Sequence, residues 1–365
     1  MNQKVSISTD LIIDLDEYNI YENTIIGSGD YGDIIKASYT VREKDDISYF
    51  AITRFTRINN AKDLKDYFNK IMIQTSFYHI AVLPITGYSL PIPAHNYYSI
   101  ISPIMKNGNL FQLTDKINDG LVPDNFETKR AIITFGIAAG MAHIHQKNVI
   151  HQDLKPDNIL LDENYYPKIS NFNLSKYLPE NSESSLSSTD FKIVTPYYCA
   201  PELFKDQNYT NKIDVYSYAI ILYELWTTKR AFSNHRQLTI DQFKTIISSG
   251  QRPPFEDKKI PRIIRKLIER CWNEDPDLRP NFVQIVTDFM ESKEKFFNDE
   301  FIDKDELNRY MDDAIIGVNF FESLDGPVCH DCGKLAIEIC HDCFHPYCAF
   351  CYEGHKCEKL TNTIK

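Results

Sequence analysis

Short apolar runs separated by turns dominate the first hundred residues, and apolar stretches of helical length follow them. An amphipathic segment at 61–78 predicts the one helix of the first part. Residues 25–37 form two short apolar runs around a glycine-rich turn, and further runs at 49–55, 82–85 and 97–102 predict strands. From residue 110 onwards the period becomes helical, and long buried helices are predicted at 128–146 and 215–226. We therefore expect an α+β protein with a β-rich first part and a helical second part.

Net charge and hydropathy argue against several classes of function. The chain has 365 residues, a net charge of −11, a pI near 5.4 and no dense basic block, which argues against nucleic-acid or anionic-membrane binding. Its apolar helices are too short to span a bilayer, and residues 1–17 are too polar for a signal peptide. We expect a cytoplasmic protein whose partners are other proteins, with homo-oligomerisation left open.

The segment 151–158 reads His-Gln-Asp-Leu-Lys-Pro-Asp-Asn and precedes a short apolar strand at 159–161. Phosphoryl transfer needs an aspartate that accepts a proton, a lysine that neutralises phosphate and an asparagine that holds a metal. Asp153, Lys155 and Asn158 are these three residue types, presented on one turn. The segment resembles the catalytic loop of eukaryotic protein kinases, His-Arg-Asp-Leu-Lys-x-x-Asn, and Lys155 favours Ser/Thr over Tyr ancestry.

The resemblance covers residues 18–290 and implies a two-lobed protein kinase fold, with a small β-rich lobe and a large helical lobe. Four sequence features resemble those of the tyrosine-kinase-like group: Ala-Pro-Glu at 200–202, Asp214, Cys-Trp at 271–272 and Arg279. They imply that Asp214 braces the catalytic loop and that Arg279 pairs with Glu202. For the nucleotide, the resemblance implies a glycine-rich loop, an adenine pocket, a gatekeeper and a hinge, formed by Gly27, Ser28, Gly29, Gly32, Ile34, Ala51, Ser102 and Met105.

Three positions depart from the family pattern. Thr53 stands where the strand lysine grips the phosphates, and Lys70 stands where its glutamate partner is expected. Arg54 cannot replace the lysine, because adjacent strand residues point to opposite faces. Lys70 is interpreted either as part of a solvated helix face or as a partial substitute for the strand lysine.

The third departure is Asn171, which replaces the metal-binding aspartate of Asp-Phe-Gly, while Asn173 replaces its glycine. Asparagine tolerates the left-handed backbone region, so the shape at Asn173 should survive although the charge is lost. Gln152 replaces the arginine that normally receives a phosphate on the activation segment, so ordering by phosphorylation is not expected in the usual way. The serine-rich run 181–189 is interpreted as a flexible part of that segment.

The substitutions at positions 53 and 171 should slow phosphate transfer. Removing one well-placed electrostatic group costs about 3–4 kcal/mol in a transition state. Two independent losses would cost roughly 6–8 kcal/mol, or about 10⁴–10⁶ in rate, although groups that act together are not additive. We therefore expect a pseudokinase that acts as a scaffold or allosteric partner and holds ATP and Mg²⁺ poorly. The alternative is an active Ser/Thr kinase that uses Lys70 or Lys36 instead.

Seven of the nine cysteines lie in the last part of the chain, where six form three Cys-x2-Cys pairs and the seventh, Cys357, follows His355. Such pairs predict two structural zinc sites in a reducing compartment. The pattern resembles a B-box finger, in which alternate pairs share a metal. That resemblance assigns one ion to Cys329, Cys332, Cys348 and Cys351, and the other to Cys340, Cys343, His355 and Cys357. Alternatively, the spacing Cys-x-His-x2-Cys-x2-Cys from Cys343 through His345 to Cys351 resembles the middle of a RING finger and would indicate ubiquitin transfer.

The predicted organisation has four parts. A short N-terminal extension (1–17) precedes the kinase domain (18–290), and an acidic helical linker (291–326) leads to the small zinc-stabilised module (327–361). Aromatic residues in the linker predict that its apolar side packs on one of the domains.

Overall fold

The computed structural model describes residues 11–29, 32–41, 46–178, 185–187, 195–205, 208–235, 237–255 and 260–318, with the backbone of two short strands beyond them. Within these residues the chain forms two lobes joined by the segment after residue 103. The predicted β-rich small lobe and helical large lobe are confirmed.

The small lobe is a five-stranded antiparallel sheet of order β1-β2-β3-β5-β4 with one helix packed on it. Its elements are β1 (Asn19–Gly29), β2 (Gly32–Val41), β3 (Asp46–Phe55), α1 (Ala61–Thr75), β4 (Gly87–Ser89) and β5 (Tyr98–Pro103). Asn60 caps α1 by accepting hydrogen bonds from the backbone N–H groups of Lys62 and Asp63. The predicted amphipathic helix is therefore confirmed.

Register divides the sheet into two faces. Ile35, Ile52 and Ile101 are paired across β2, β3 and β5 and are buried in one cluster, because opposite residues in antiparallel strands share a face. Phe55 lies on the other face, in a cluster with Ile71 of α1. The side chains that alternate with Ile52 along β3 therefore point to the face on which α1 packs.

Residues 11–17 pack against the small lobe. Ile13 N–H donates to Tyr88 O at 3.0 Å, and Leu15 is fully buried. The side chain of Ile13 also packs against the cluster that contains Ile35. This segment therefore covers the β4 side of the sheet.

Helices dominate the large lobe. They are α2 (Leu110–Asn118), α3 (Phe126–Gln146), α4 (Lys212–Thr227), α5 (Ile240–Ser248), α6 (Arg262–Cys271) and α7 (Phe282–Glu291). The predicted apolar helices correspond to α3, most of whose residues are buried, and α4, whose residues are almost all buried. Short antiparallel pairs carry the site between them: β6 (Val149–Ile150) with β9 (Lys176–Tyr177), β7 (Ile159–Leu161) with β8 (Pro167–Ile169), and β10 (Leu186–Ser187) with β11 (Asn208–Tyr209).

Residues 293–318, which we call the C-terminal strap, pack back onto the large lobe. The strap contains α8 (Lys293–Phe296) and α9 (Lys304–Ala314), and α9 lies against α3. Its apolar side is buried, as predicted, through Phe296, Phe297, Leu307 and Met311. Phe301 is the exception, since its side chain is largely exposed.

All eight predicted zinc ligands lie outside the described residues. In that part of the chain only the backbone of β12 (Glu338–Ile339) and β13 (Pro346–Tyr347) is described, as an antiparallel pair. None of the helices that the structure describes combines the length and apolar character needed to cross a bilayer.

Candidate active site

A single buried carboxylate anchors the loop that contains Asp153. Asp214, near the start of α4, accepts hydrogen bonds from the backbone N–H groups of His151 (2.8 Å) and Gln152 (3.0 Å). His145 Nε2 donates to the same carboxylate at 2.9 Å. This confirms that Asp214 braces the catalytic loop, and Gln152 takes the left-handed conformation (φ 67°) that the tight turn requires.

Asp153 is surrounded by donors. Lys155 Nζ lies 2.9 Å from Asp153 Oδ1, and Asn158 Nδ2 donates to Oδ2 at 2.9 Å. Asn158 Nδ2 also donates to the backbone carbonyl of Asp153 at 2.6 Å. The three residues predicted from the catalytic-loop pattern are thus brought together on one turn.

Asn171 completes this network. Its Nδ2 donates to Asp153 Oδ2 at 3.3 Å and to Asn158 Oδ1 at 3.1 Å. The residue expected in the metal-binding place is therefore hydrogen-bonded to the other expected metal ligand. An aspartate at position 171 has no N–H and could not make either bond.

The backbone at Asn171 differs from the expectation. Asn171 itself is left-handed (φ 66°), whereas Asn173 does not have a positive φ. The prediction that Asn173 occupies the left-handed position is therefore wrong. The physical reason is local: a left-handed residue 171 turns the chain between Ser170, which bonds to Asn158 O, and the buried ring of Phe172.

The residues expected to line the adenine pocket lie on neighbouring strands of the small lobe and in the connection that follows them. Ala51 of β3 is paired with Ser102 of β5, and Ile34 of β2 is paired with both Gly27 and Thr53. Ala51 and Thr53 alternate with Ile52, so these side chains share the face on which α1 packs. Met105, in the connection to α2, accepts a hydrogen bond from the Gly108 N–H at 3.4 Å.

The glycine-rich hairpin closes between Gly29 and Gly32, which are paired across its end. Gly32 has φ 152°, and a Cβ there would overlap the carbonyl oxygen of Arg54. Glycine is therefore required at this position. Ser28 is paired with Asp33 in the same hairpin.

Three cationic side chains lie near Thr53 in the small lobe, and they point in different directions. Lys70 Nζ lies 4.7 Å from the ring centroid of Phe55, and the residue is buried, so the solvated-face alternative is wrong. Phe55 is two residues after Thr53 on the same face of β3, which brings Lys70 to the correct side of the sheet. Lys36 Nζ instead lies 4.1 Å from the ring centroid of Tyr49, towards the opposite end of β3 from Thr53. Arg54 pairs with Glu22 at 2.7 Å on the other face, as the alternation predicts.

Contacts that the sequence did not reveal hold the activation segment. Lys155 Nζ donates to Thr195 Oγ1 at 3.1 Å, and Gln152 Nε2 donates to Tyr209 OH at 2.8 Å. Tyr209 is in turn paired with Leu186 of the activation segment. Most of the serine-rich run 181–189 lies outside the described residues.

A buried ion pair locks the lobe behind this segment. Arg279 donates to both carboxylate oxygens of Glu202, at 2.7 and 2.9 Å, and both side chains are almost fully buried. Arg279 also donates to the carbonyls of Asn273 and Lys212. The predicted pairing is confirmed.

With this geometry established, sequence comparison identifies the family. A profile described as protein tyrosine and serine/threonine kinase matches residues 20–289. This chain belongs to that protein kinase family. Among curated relatives, it is 30% identical to a probable serine/threonine-protein kinase of Dictyostelium discoideum, over 72% of this chain and 18% of the relative.

Two further relatives are similar at the same level. The chain is 29% identical to the dual specificity protein kinase shkB of Dictyostelium discoideum (75% of this chain, 40% of the relative). It is 28% identical to the serine/threonine-protein kinase STY17 of Arabidopsis thaliana (75% and 44%). The chain thus spans less than half of each of these relatives, and the match to this kinase family does not reach the cysteine-rich end.

The residues expected at the metal site offer few charged oxygens to magnesium. Mg²⁺ is usually held by one or two carboxylates together with phosphates. Here Asn158 and Asn171 offer neutral amide oxygens. The carboxylate of Asp153, beside them, already interacts with the side-chain N–H groups of three residues. Within the described residues, no group of three or more His, Cys, Asp or Glu side chains converges as a metal ion would require.

Proposed function

We propose that this kinase-fold protein is a catalytically impaired pseudokinase that acts as a scaffold or allosteric partner of other signalling proteins. The single observation that carries the proposal is the hydrogen bond from Asn171 to Asn158. It occupies Asn158 Oδ1, an oxygen that an active kinase directs at magnesium, and it joins the two side chains expected at the metal to each other.

Charge in the cleft supports the same conclusion. In a kinase, a strand lysine and an aspartate at position 171 would give one positive group for the phosphates and one negative group for the metal. Thr53 and Asn171 supply neither, and Lys70 is buried against Phe55. The groups that stabilise the transferring phosphate are therefore reduced to Lys155 and the glycine-rich hairpin.

Phosphate transfer tests the proposal. The full chain is incubated with γ-labelled ATP, Mg²⁺ or Mn²⁺ and a general protein substrate, beside an Asp153→Asn variant that is nearly isosteric. We expect equal incorporation of label in both proteins. Incorporation that disappears in the Asp153→Asn variant would establish the enzyme and overturn the proposal.

An active Ser/Thr kinase is the second candidate, and one observation favours it. Asp153 and Lys155 are in contact, and Lys155 also bonds to Thr195, an arrangement that can position a hydroxyl substrate. Relatives described as serine/threonine or dual specificity kinases agree with this reading. On this alternative Lys70 would have to leave Phe55 to reach the phosphates.

For the cysteine-rich end we propose a B-box-type finger with two structural zinc ions that binds proteins. Its support is the spacing of seven cysteines and His355. Elemental analysis should find about two zinc ions per chain, and none after the eight positions are changed. One ion, or none, would contradict the B-box assignment, whereas ubiquitin discharge from a charged conjugating enzyme would support the RING alternative.

The cysteine content and the net charge support a cytoplasmic location. Free thiols and cysteine-based zinc sites persist in a reducing compartment, and the net charge of −11 disfavours binding to nucleic acid or anionic lipid. Fluorescent tagging in cells tests this, and signal confined to the nucleus or to membranes would contradict it.

A further inference from the structure

The C-terminal strap reaches the connection between α1 and β4 through two imidazoles. His79 Nε2 donates to Ala314 O at 2.7 Å, and its Nδ1 accepts the Ala81 N–H at 3.0 Å. His143 Nδ1, on α3, donates to Gly317 O at 2.8 Å. The two rings stack with centroids 5.3 Å apart, so the end of the strap is bonded to both lobes at one point.

Polar contacts anchor the strap along α3. Glu306 forms an ion pair with Lys129 and accepts a hydrogen bond from Tyr166 OH at 2.9 Å. The Asp303 N–H donates to Thr128 Oγ1 at 2.8 Å.

Apolar packing reinforces these contacts. Leu307, Tyr310 and Met311 are fully buried, and the ring of Tyr310 meets that of Tyr166 edge to face at 4.9 Å. Burial of these large side chains stabilises the docked position, because it removes apolar surface from water. The strap is therefore a fixed part of the kinase domain although it lies beyond the family match, which ends at residue 289.

A continuous row of rings leads from this point to the cleft. The ring of His143 lies 6.1 Å from that of Phe77, which follows α1. Phe77 lies 5.1 Å from Phe172, and Phe172 lies 5.1 Å from His151. His151 Nδ1 accepts the N–H of Asp153 at 3.3 Å, so the row ends at the catalytic loop.

We infer that the C-terminal strap is a built-in brace for the cleft. Docked, it holds the 77–83 connection and Phe77 against Phe172. It thereby keeps Asn171, the residue before Phe172, within hydrogen-bonding distance of Asp153 and Asn158. The brace acts on the position of these groups and is independent of whether the cleft transfers phosphate.

The test compares two aspartate substitutions at the same end of the strap in the full chain. Met311 is fully buried and Ile316 is mostly exposed, so Met311→Asp should release the strap and Ile316→Asp should not. Backbone hydrogen exchange is followed in the 77–83 connection, in residues 169–175 and, as references, in α4 and α6. We expect Met311→Asp to speed exchange in the first two regions by roughly tenfold or more, with the references unchanged.

Exchange that rises only within residues 293–318 would overturn the proposal, as would equal effects of the two substitutions. If Met311→Asp also raises exchange in α4 and α6, a milder pair at position 79 decides the question. His79→Gln keeps a donor for Ala314 O, whereas His79→Leu removes it. Faster exchange in residues 169–175 of the leucine variant alone supports the brace, and equal exchange in the two variants contradicts it.

Discussion

Asn171 Nδ2 donates to Asn158 Oδ1 across 3.1 Å, so two side chains that would otherwise face a metal ion face each other. A carboxylate at position 171 would instead lie beside Asp153, with whose Oδ2 the Asn171 amide makes a 3.3 Å hydrogen bond. Two carboxylates so close repel unless a cation or a proton lies between them. An amide at position 171 avoids this repulsion, which is why we propose that the cleft is stable without a divalent ion.

Restoring the carboxylate should make the fold depend on magnesium. Without Mg²⁺, Asn171→Asp should lower stability by about 1–3 kcal/mol, because two hydrogen bonds are lost and a charge faces Asp153. Adding Mg²⁺ should recover part of the loss. Thermal unfolding with and without Mg²⁺ measures both effects.

Asn173→Asp is the matched control for this substitution. Asn173 lies two residues away and does not have a left-handed backbone. Its conversion to aspartate should change the melting temperature little, with or without Mg²⁺. A similar magnesium response in both variants would refute the account of Asn171.

The buried ion pair of the large lobe should carry a large part of its stability. Arg279→Met leaves the carboxylate of Glu202 buried without its two charged donors, which typically costs about 3–5 kcal/mol. Arg270→Met removes one partner of the exposed Arg270–Asp288 pair and should cost less than about 1 kcal/mol. Urea unfolding compares the two, and similar losses would show that burial does not decide the effect.

Stability should fall in acid through His79. Burial, together with the neighbouring His143 and Lys168, lowers the pKa of His79 to about 4, although its bond to Ala314 O opposes this. Because the unfolded chain binds a proton more readily, the contribution is complete above pH 6.5 and is lost as pH falls towards 4. The loss amounts to about 3 kcal/mol.

His79→Gln isolates this contribution, since glutamine keeps the donor but does not titrate. The difference in unfolding free energy between wild type and variant should shrink by about 3 kcal/mol between pH 7 and pH 4. A difference that stays constant over this range would show that His79 does not titrate as described.

The two cysteines of the kinase domain should be inert to alkylation in the native protein. Burial raises the pKa of both Cys199 and Cys271 to about 12. Fewer than about one in 10⁴ of these thiols is ionised at pH 7.5, and the thiolate is the reactive form. Mass spectrometry after brief iodoacetamide treatment should find them modified only in urea, and fast native labelling would contradict their burial.

Much of the fold was predictable because local and global signals agree. The apolar runs at 49–55 and 97–102, the helix at 61–75 and the largely buried α3 each favour one structure, and the family resemblance supplies their arrangement. The strand expected at 82–85 is wrong, since this run forms only an isolated bridge at Val82 and β4 begins at Gly87. Asp214 and the Arg279–Glu202 pair were predictable for the same reason, since each belongs to a recognisable motif. Strand alternation correctly directed Arg54 away from the cleft.

The rest depends on contacts between distant residues that no local pattern encodes. The strap contacts His79 through Ala314, which is 235 residues away in the sequence, and Gln152 contacts Tyr209, which is 57 residues away. The sequence also does not determine where the side chain of Lys70 points. It is buried against Phe55, although the side chain of a helical lysine usually lies in water. The left-handed residue was misplaced by two positions because two asparagines flank Phe172 and either tolerates that conformation.

Calorimetric titration of the full chain with ATP, with and without Mg²⁺, tests most directly the claim that this cleft has lost its divalent-ion site. We predict that Mg²⁺ changes the affinity for ATP by less than about twofold, because position 171 carries a neutral amide that donates to Asn158 Oδ1 instead of a metal-binding carboxylate. Binding that tightens about tenfold or more when Mg²⁺ is added would contradict the account.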